Sequence, residues 1–254
     1  MDCGKATDRY YARWLGTDES VFREGGPVWF QKTEERDRMQ KGYGAPFSIF
    51  SLVKDGRIYL SYGEEASRFL PSLRSLLKPG QDAKTVKAVL ESVAGREAGH
   101  MIKYVFEKEK ADPGKARVLT REEYPVYADF FKACHPGEEA GGWLREYFED
   151  MTGERLCCGV FCEGMLASAT DAPSVPYLED EVREIGIVTL PAFRRRGYAA
   201  CASARAAREI LASGKTPLWS TGAGNVASQR LAAAVGFRKY ADCLVLEAEP
   251  GRDA

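Results

Sequence analysis

The run Arg194-Arg195-Arg196-Gly197-Tyr198-Ala199 constrains the fold more than any other feature of this chain. A strand pattern over 184–190 leads into it, and an Ala-rich helical pattern over 197–213 leaves it. Three guanidinium groups therefore crowd one strand-to-helix turn. Gly197 carries no Cβ, so backbone can come close to a ligand there. The first N–H groups of a helix lack intrahelical acceptors, and the helix dipole adds positive potential. Fixed charge beside open donors suits a pyrophosphate. Taken alone, the run reads more readily as a solvated basic turn capping a surface helix.

A second block changes that balance. Trp219-Ser220-Thr221 closes a strand pattern, Asn225 through Ala232 reads as a helix opening at an Asn, and Val235-Gly236-Phe237 ends it. In this order and spacing the two blocks resemble the GNAT superfamily, the CoA-dependent N-acetyltransferases. Arg194, Gly197 and Ala199 fill that family's phosphate-loop signature. The versions Gly197-Tyr198-Ala199 and 219–228 look most like the branch containing the zwittermicin A resistance acetyltransferases. The motifs cover roughly 183–240, and the wider domain pattern about 116–250.

Composition narrows the alternatives. Lys+Arg 36 stand against Asp+Glu 37, so the arginine turn is local on a neutral background. That argues against a nucleic-acid partner. No run approaches the ~20 apolar residues that span a bilayer, which argues against a membrane partner. The first residues, Met1 to Lys5, have charge but no apolar stretch behind them, unlike a secretory signal. The seven cysteines are scattered, and reduced thiols in a cytoplasmic protein are the expectation. Cys157, Cys158 and Cys162 read as buried thiols; with only His100 and His135 in the chain, no zinc spacing is visible and no metal is expected. The oligomeric state stays open.

Along the chain, 47–53 and 57–62 read as a hairpin turned at Asp55-Gly56. Helical spacing follows over 64–77 and 83–93, then a strand over 101–106. The charged segment 107–115 contains Pro113-Gly114 and reads as a linker. The expectation is an N-terminal α/β domain over 1–112 and a second domain over 116–250. The second half shows a short strand at 117–119, a capping box at Thr120 and Glu123, a helix over 143–151 and a hairpin over 156–169. A fourth strand over 182–190, the main helix, a fifth strand over 217–221, the Asn225 helix and a last strand over 237–247 complete it.

The resemblance implies an α/β GNAT fold: a mixed, mostly antiparallel central sheet, splayed between its fourth and fifth strands and flanked by helices, with the extra N-terminal domain added. It implies acetyl-CoA as co-substrate and a small-molecule amine as acceptor, joined by direct attack in a ternary complex. The diphosphate would lie on Arg194, Arg195, Arg196, Gly197, Tyr198 and Ala199. Free amides near Ile187, Val188 and Thr189 would polarise the thioester. Asn225 and Ser228 would cap their helix and reach the pantetheine arm. Glu184 is the candidate base, or a surface carboxylate paired with Arg183 or a neighbouring strand. Ala232 stands where many family members carry a tyrosine acid. Tyr240 is one substitute, Ser228 or water another. That departure also leaves open a non-catalytic acyl-CoA-binding sensor.

Overall fold

The structure is a computed structural model that describes residues 2–138 and 141–249. The first half holds α1 (Cys3–Leu15), α2 (Val21–Glu24), β1 (Val28–Lys32), β2 (Phe47–Lys54), β3 (Arg57–Tyr62), α3 (Leu70–Leu76), α4 (Ala83–Ala94) and β4 (Gly99–Phe106). The second holds β5 (Arg117–Val118), α5 (Tyr124–Cys134), α6 (Gly141–Gly153), β6 (Cys158–Cys162), β7 (Met165–Asp171), β8 (Val182–Glu184), β9 (Gly186–Thr189), α7 (Tyr198–Ala212), β10 (Thr216–Gly222), α8 (Val226–Val235) and β11 (Phe237–Glu247).

Local chemistry explains most of these boundaries. Both hairpins close on two-residue turns with positive φ at each position: Asp55 (51°) and Gly56 (73°), Glu163 (53°) and Gly164 (77°). Such turns match the right-handed twist of the strands they join. The capping box is present, with Thr120 and Glu123 exchanging bonds. The helix expected over 64–77 starts as a 3-10 turn over Glu65–Phe69 and becomes α-helical at Leu70. Pro71 sits in that first turn, where its missing N–H costs nothing. Three elements carried no expectation: α1, the single-turn α2 and β1. In α1 the aromatic residues Tyr10, Tyr11 and Trp14 share a buried face, and β1 is a half-buried edge strand.

The strands form a seven-stranded sheet in the order β1-β3-β2-β11-β4-β10-β8 and a four-stranded sheet in the order β5-β6-β7-β9. All pairings are antiparallel except β1 with β3 and β10 with β8. The fold is thus mixed α/β, mostly antiparallel and flanked by helices. The large sheet draws strands from both expected units. β11 lies between β2 and β4, and β10 pairs with β4. The expected division at 112–116 therefore marks where the chain leaves one sheet for the other, and the hydrophobic cores run across it.

One face of the large sheet is covered by α1. Trp14, Leu15 and Tyr11 pack there with Val182, Leu218 and Tyr240. The opposite face carries α3 and α4 at one end, through Leu73, Val86 and Leu90. At the other end it carries α7 and α8, through Ile210 and Val235 against Trp219 and Phe237. Helices α5 and α6 pack Tyr127, Phe130, Leu144 and Phe148 onto the small sheet. Burial of a side chain the size of Trp14 or Trp219 contributes on the order of 2–3 kcal/mol.

Candidate active site

The strand expected over 182–190 is divided between the two sheets. Its first part, β8, pairs in parallel with β10, Glu184 facing Leu218 in register. Its second part, β9, pairs antiparallel with β7. The change occurs at Ile185 and Gly186, and beyond it β9 and β10 diverge. Ile185 N–H still reaches Leu218 O at 3.0 Å. On the other edge, Leu190 N–H donates to Ala167 O at 3.0 Å. Donors alternate sides along an antiparallel strand. That register turns the Val188 N–H toward β7 and the Ile187 and Thr189 N–H groups into the gap. Of the three amides expected to be free, Val188 is therefore the exception, and it lines the gap only through other atoms.

The gap opens into a cleft of about 630 Å³. Ile187, Val188 and Thr189 form one wall, and Arg194, Arg195, Gly197, Tyr198 and Ala199 form its end. Asn225 and Ser228 line the far side. The structure so assembles ten of the eleven residues expected around a coenzyme. Arg196 is the exception; its guanidinium lies over the Phe193 ring, 5.5 Å from the centroid. Phe193 and Leu231, neither singled out from sequence, add apolar lining.

The phosphate-loop geometry has a specific cause. Arg195 and Gly197 both take left-handed backbone, with φ of 62° and 83°. Gly197 is the N-cap of α7, with no side-chain cap bond. The first N–H groups of α7 consequently stay open. A Cβ on Gly197 would meet nothing within 4 Å, so the glycine is required for its φ, not for space. Left-handed Arg195 stores on the order of 1 kcal/mol of strain, of the kind that concentrates at binding sites. Arg194 Nε donates to Thr189 O at 3.2 Å, tying the loop to β9. Among the described residues no ion pair neutralises any of the three arginines.

Across the cleft, Asn225 Oδ1 accepts from Ser228 N at 3.1 Å, which is the expected helix cap. Ser228 Oγ accepts from Trp219 Nε1 at 3.1 Å. The Ser228 hydroxyl proton is left free to point elsewhere.

On the face of the split turned away from α7, Glu184 accepts a hydrogen bond from Ser220 on β10. Ser220 is thus the neighbouring-strand partner of the alternative reading, while Arg183 is engaged with Glu154 and Glu179 at 2.8 Å each. Beside Glu184 stands Asp171, a carboxylate missed in the sequence. It ends β7, opposite Gly186. Burial, with the nearby Glu184 charge adding to it, raises the Asp171 carboxyl above the usual carboxylate range; hydrogen bonds from its own backbone and Tyr147 oppose the rise. Asp171 Oδ1 has no partner within the described residues. The only sequence signal for it is a carboxylate at the end of an apolar strand.

Tyr240 is not brought to this cleft. Its buried ring stacks on Tyr11, 5.1 Å between centroids, and its hydroxyl donates to Asp8 Oδ1 at 2.7 Å. Burial, then the Asp8 carboxylate, pushes that phenol well up. Cys157 and Cys158 are buried, and burial pushes the Cys158 thiol up to about 12. Cys162 is half-buried against the Tyr198 hydroxyl, at 3.2 Å. A second cleft, of about 450 Å³, lies between α6 and the 172–183 segment. The Arg183 ion pairs cross it. Among the described residues, no helix is long and apolar enough to cross a membrane.

Residues 153–242 match the family model described as GNAT acetyltransferase. No curated protein matches the chain. Among solved structures, an acetyltransferase from the GNAT family of Colwellia psychrerythraea is similar at 18% identity and a TM-score of 0.52, over 76% of this chain and 78% of that one. A protein assigned to the GNAT family from Novosphingobium aromaticivorans is similar at 22% identity and a TM-score of 0.45, over 60% of this chain and 66% of that one. A GCN5-related N-acetyltransferase-like protein from Streptococcus suis aligns at 17% identity with a TM-score of 0.41, over 78% and 84%. The matched segment holds the strand split, the arginine turn and the Asn225 helix. The family match is thus confined to that segment, and the likeness to the Colwellia psychrerythraea structure is one of fold.

Proposed function

We propose that this chain is an acetyl-CoA-dependent N-acetyltransferase acting on a primary amine of a small molecule. The observation that carries the proposal is the division of 182–189 between two sheets. It leaves the Ile187 and Thr189 N–H groups in a cleft that ends at an open helix N-terminus, while Glu184 stands on the opposite face of the same split. The diphosphate of CoA fits the amides of Tyr198 and Ala199 with Arg194 and Arg195 around them. The thioester oxygen fits the outward amides of β9, which would stabilise the charge that grows on it.

The acceptor would enter from the Glu184 side. An ammonium there gives one proton to Glu184, directly or through water. The freed lone pair attacks the acetyl carbon, a C–N bond forms, the nitrogen passes its second proton to water, and the C–S bond breaks with its electron pair on sulfur. The Ser228 hydroxyl faces the departing thiolate as donor, with water restoring its proton. The acceptor is a small amine, antibiotic-like or amino-acid-like, in keeping with the motif resemblance to the zwittermicin A resistance branch. Calorimetric titration with CoA and a thiol-release assay over an amine panel test the reading. Micromolar CoA binding with amine-dependent thiol release is expected; absence of CoA binding would overturn it.

A further inference from the structure

The α1-covered face of the large sheet contains two buried cations that form no ion pair among the described residues. Lys103, on β4, is 4% exposed. Among the described residues its Nζ has one hydrogen-bond partner, the Met101 sulfur at 4.0 Å. Arg36 is fully buried over the rings of Trp14 and Phe50, 5.2 and 5.5 Å from their centroids. Among the described residues its guanidinium makes one hydrogen bond, to the Tyr177 hydroxyl at 3.3 Å, and its Nε and Nη1 make none.

Strand register places Lys103 relative to the reaction. Lys103 pairs with Ser220 across β4 and β10, so their side chains share a face. Ser220 in turn donates to Glu184 on β8. The row Lys103, Ser220, Glu184 crosses three adjacent strands, which spans about 10 Å at the usual strand spacing. No ion pair within 4.0 Å joins Lys103 to Glu184. Met101, Tyr43, Ser220 and Glu184 are half-buried, so the row reaches solvent at this end. Attraction to groups on this face, Glu184 among them, keeps the Lys103 ammonium charged despite its burial, and a ligand carboxylate at Nζ would supply a close anion as well.

We propose that the Lys103 ammonium is the anion subsite of the acceptor pocket, and that the acceptor is a small amino carboxylate whose amine meets Glu184 while its carboxylate pairs with Lys103. This rests on the acetyltransferase reading and adds the substrate class to it. The geometry selects for a molecule with opposite charges a few bonds apart, since one end of the row is anionic and the other cationic.

The test uses the full chain, acetyl-CoA, and a series of amino carboxylates of increasing length with their matching primary amides. At least one carboxylate is expected to exceed its amide in kcat/KM by about tenfold or more, the scale of a desolvated charge pair. Lys103→Met is expected to bring that ratio close to one with CoA affinity unchanged. A merely structural lysine would lower all rates together and leave the ratio intact. Equal rates for carboxylate and amide in the wild type, or a preference that survives Lys103→Met, overturns the proposal. If Lys103→Met does not fold, or if the chain binds CoA but acetylates no amine, the Lys103 side-chain NMR resonance of wild type decides. A saturable shift with the amino carboxylates and none with the amides supports the subsite; no shift with either overturns it. Loss of turnover with that shift retained sinks the enzyme reading alone.

Discussion

The Asp171 carboxylate rests on the Cα of Gly186, its register partner across β7 and β9. A Cβ at residue 186 would collide with Asp171 Oδ1. The glycine sits where one strand passes from the large sheet to the small one, and the carboxylate fills the space that its missing side chain leaves. Two carboxylates, Asp171 and Glu184, so flank the point where the sheet opens.

Gly186→Ala therefore overpacks the vertex of the split. A loss of about 1–3 kcal/mol in stability is expected, with turnover falling further than stability explains because β9 must shift. Thermal unfolding and steady-state rates, measured together, check this; an alanine variant with native stability and rate would disprove the contact.

Asp171 also predicts a pH dependence. Its carboxyl titrates above its unfolded value of about 4, chiefly because it is buried. Between those two values the folded chain holds more protons than the unfolded one, so this group makes stability fall as pH rises. Above the raised value the full penalty of the buried charge applies; below about pH 4 it vanishes. Asp171→Asn keeps the shape and removes the charge. The variant should unfold at a higher temperature than wild type at neutral pH, and the gap should close under acid conditions.

Gly197→Ala tests the phosphate turn. The position has φ of 83° with open space around it, so the expected cost is about 1–2 kcal/mol of backbone strain rather than a clash. CoA should bind more weakly, since relief of the strain would turn the α7 amides away. Calorimetry on the folded variant reads this directly.

Glu184→Gln should reduce turnover by about 10²–10⁴, most strongly at neutral pH and below, where the amine arrives protonated. CoA affinity should not change. A pH–rate profile parallel to that of wild type would remove Glu184 as the base.

Tyr240→Phe removes only the bond to Asp8. About 0.5–1.5 kcal/mol of stability should be lost, with turnover as in wild type. A large rate defect would mean that the tyrosine reaches the reacting atoms after all.

The coenzyme side was legible in the sequence because it is built from contiguous chain. Strand, arginine turn and helix lie within residues 184–213, and the Asn225 cap closes on Ser228 three residues later. Propensity, capping and the demand for positive φ act over that range. Tyr240 looked close for the same reason, being near Gly236 in the chain. β4, however, lies between β11 and β10, and that insertion removes the tyrosine from the cleft.

The acceptor side could not be read that way. Lys103, Asp171, Glu184 and Ser220 come from four strands, and only register puts their side chains in one neighbourhood. The sequence by itself determined the hairpins, the helix ends and the left-handed arginine turn, since each rests on interactions among neighbours in the chain. The tertiary structure alone decided that β11 would slot between β2 and β4 and that one strand would serve two sheets. Those outcomes depend on which buried faces meet most favourably, a property of the whole chain that no local window contains.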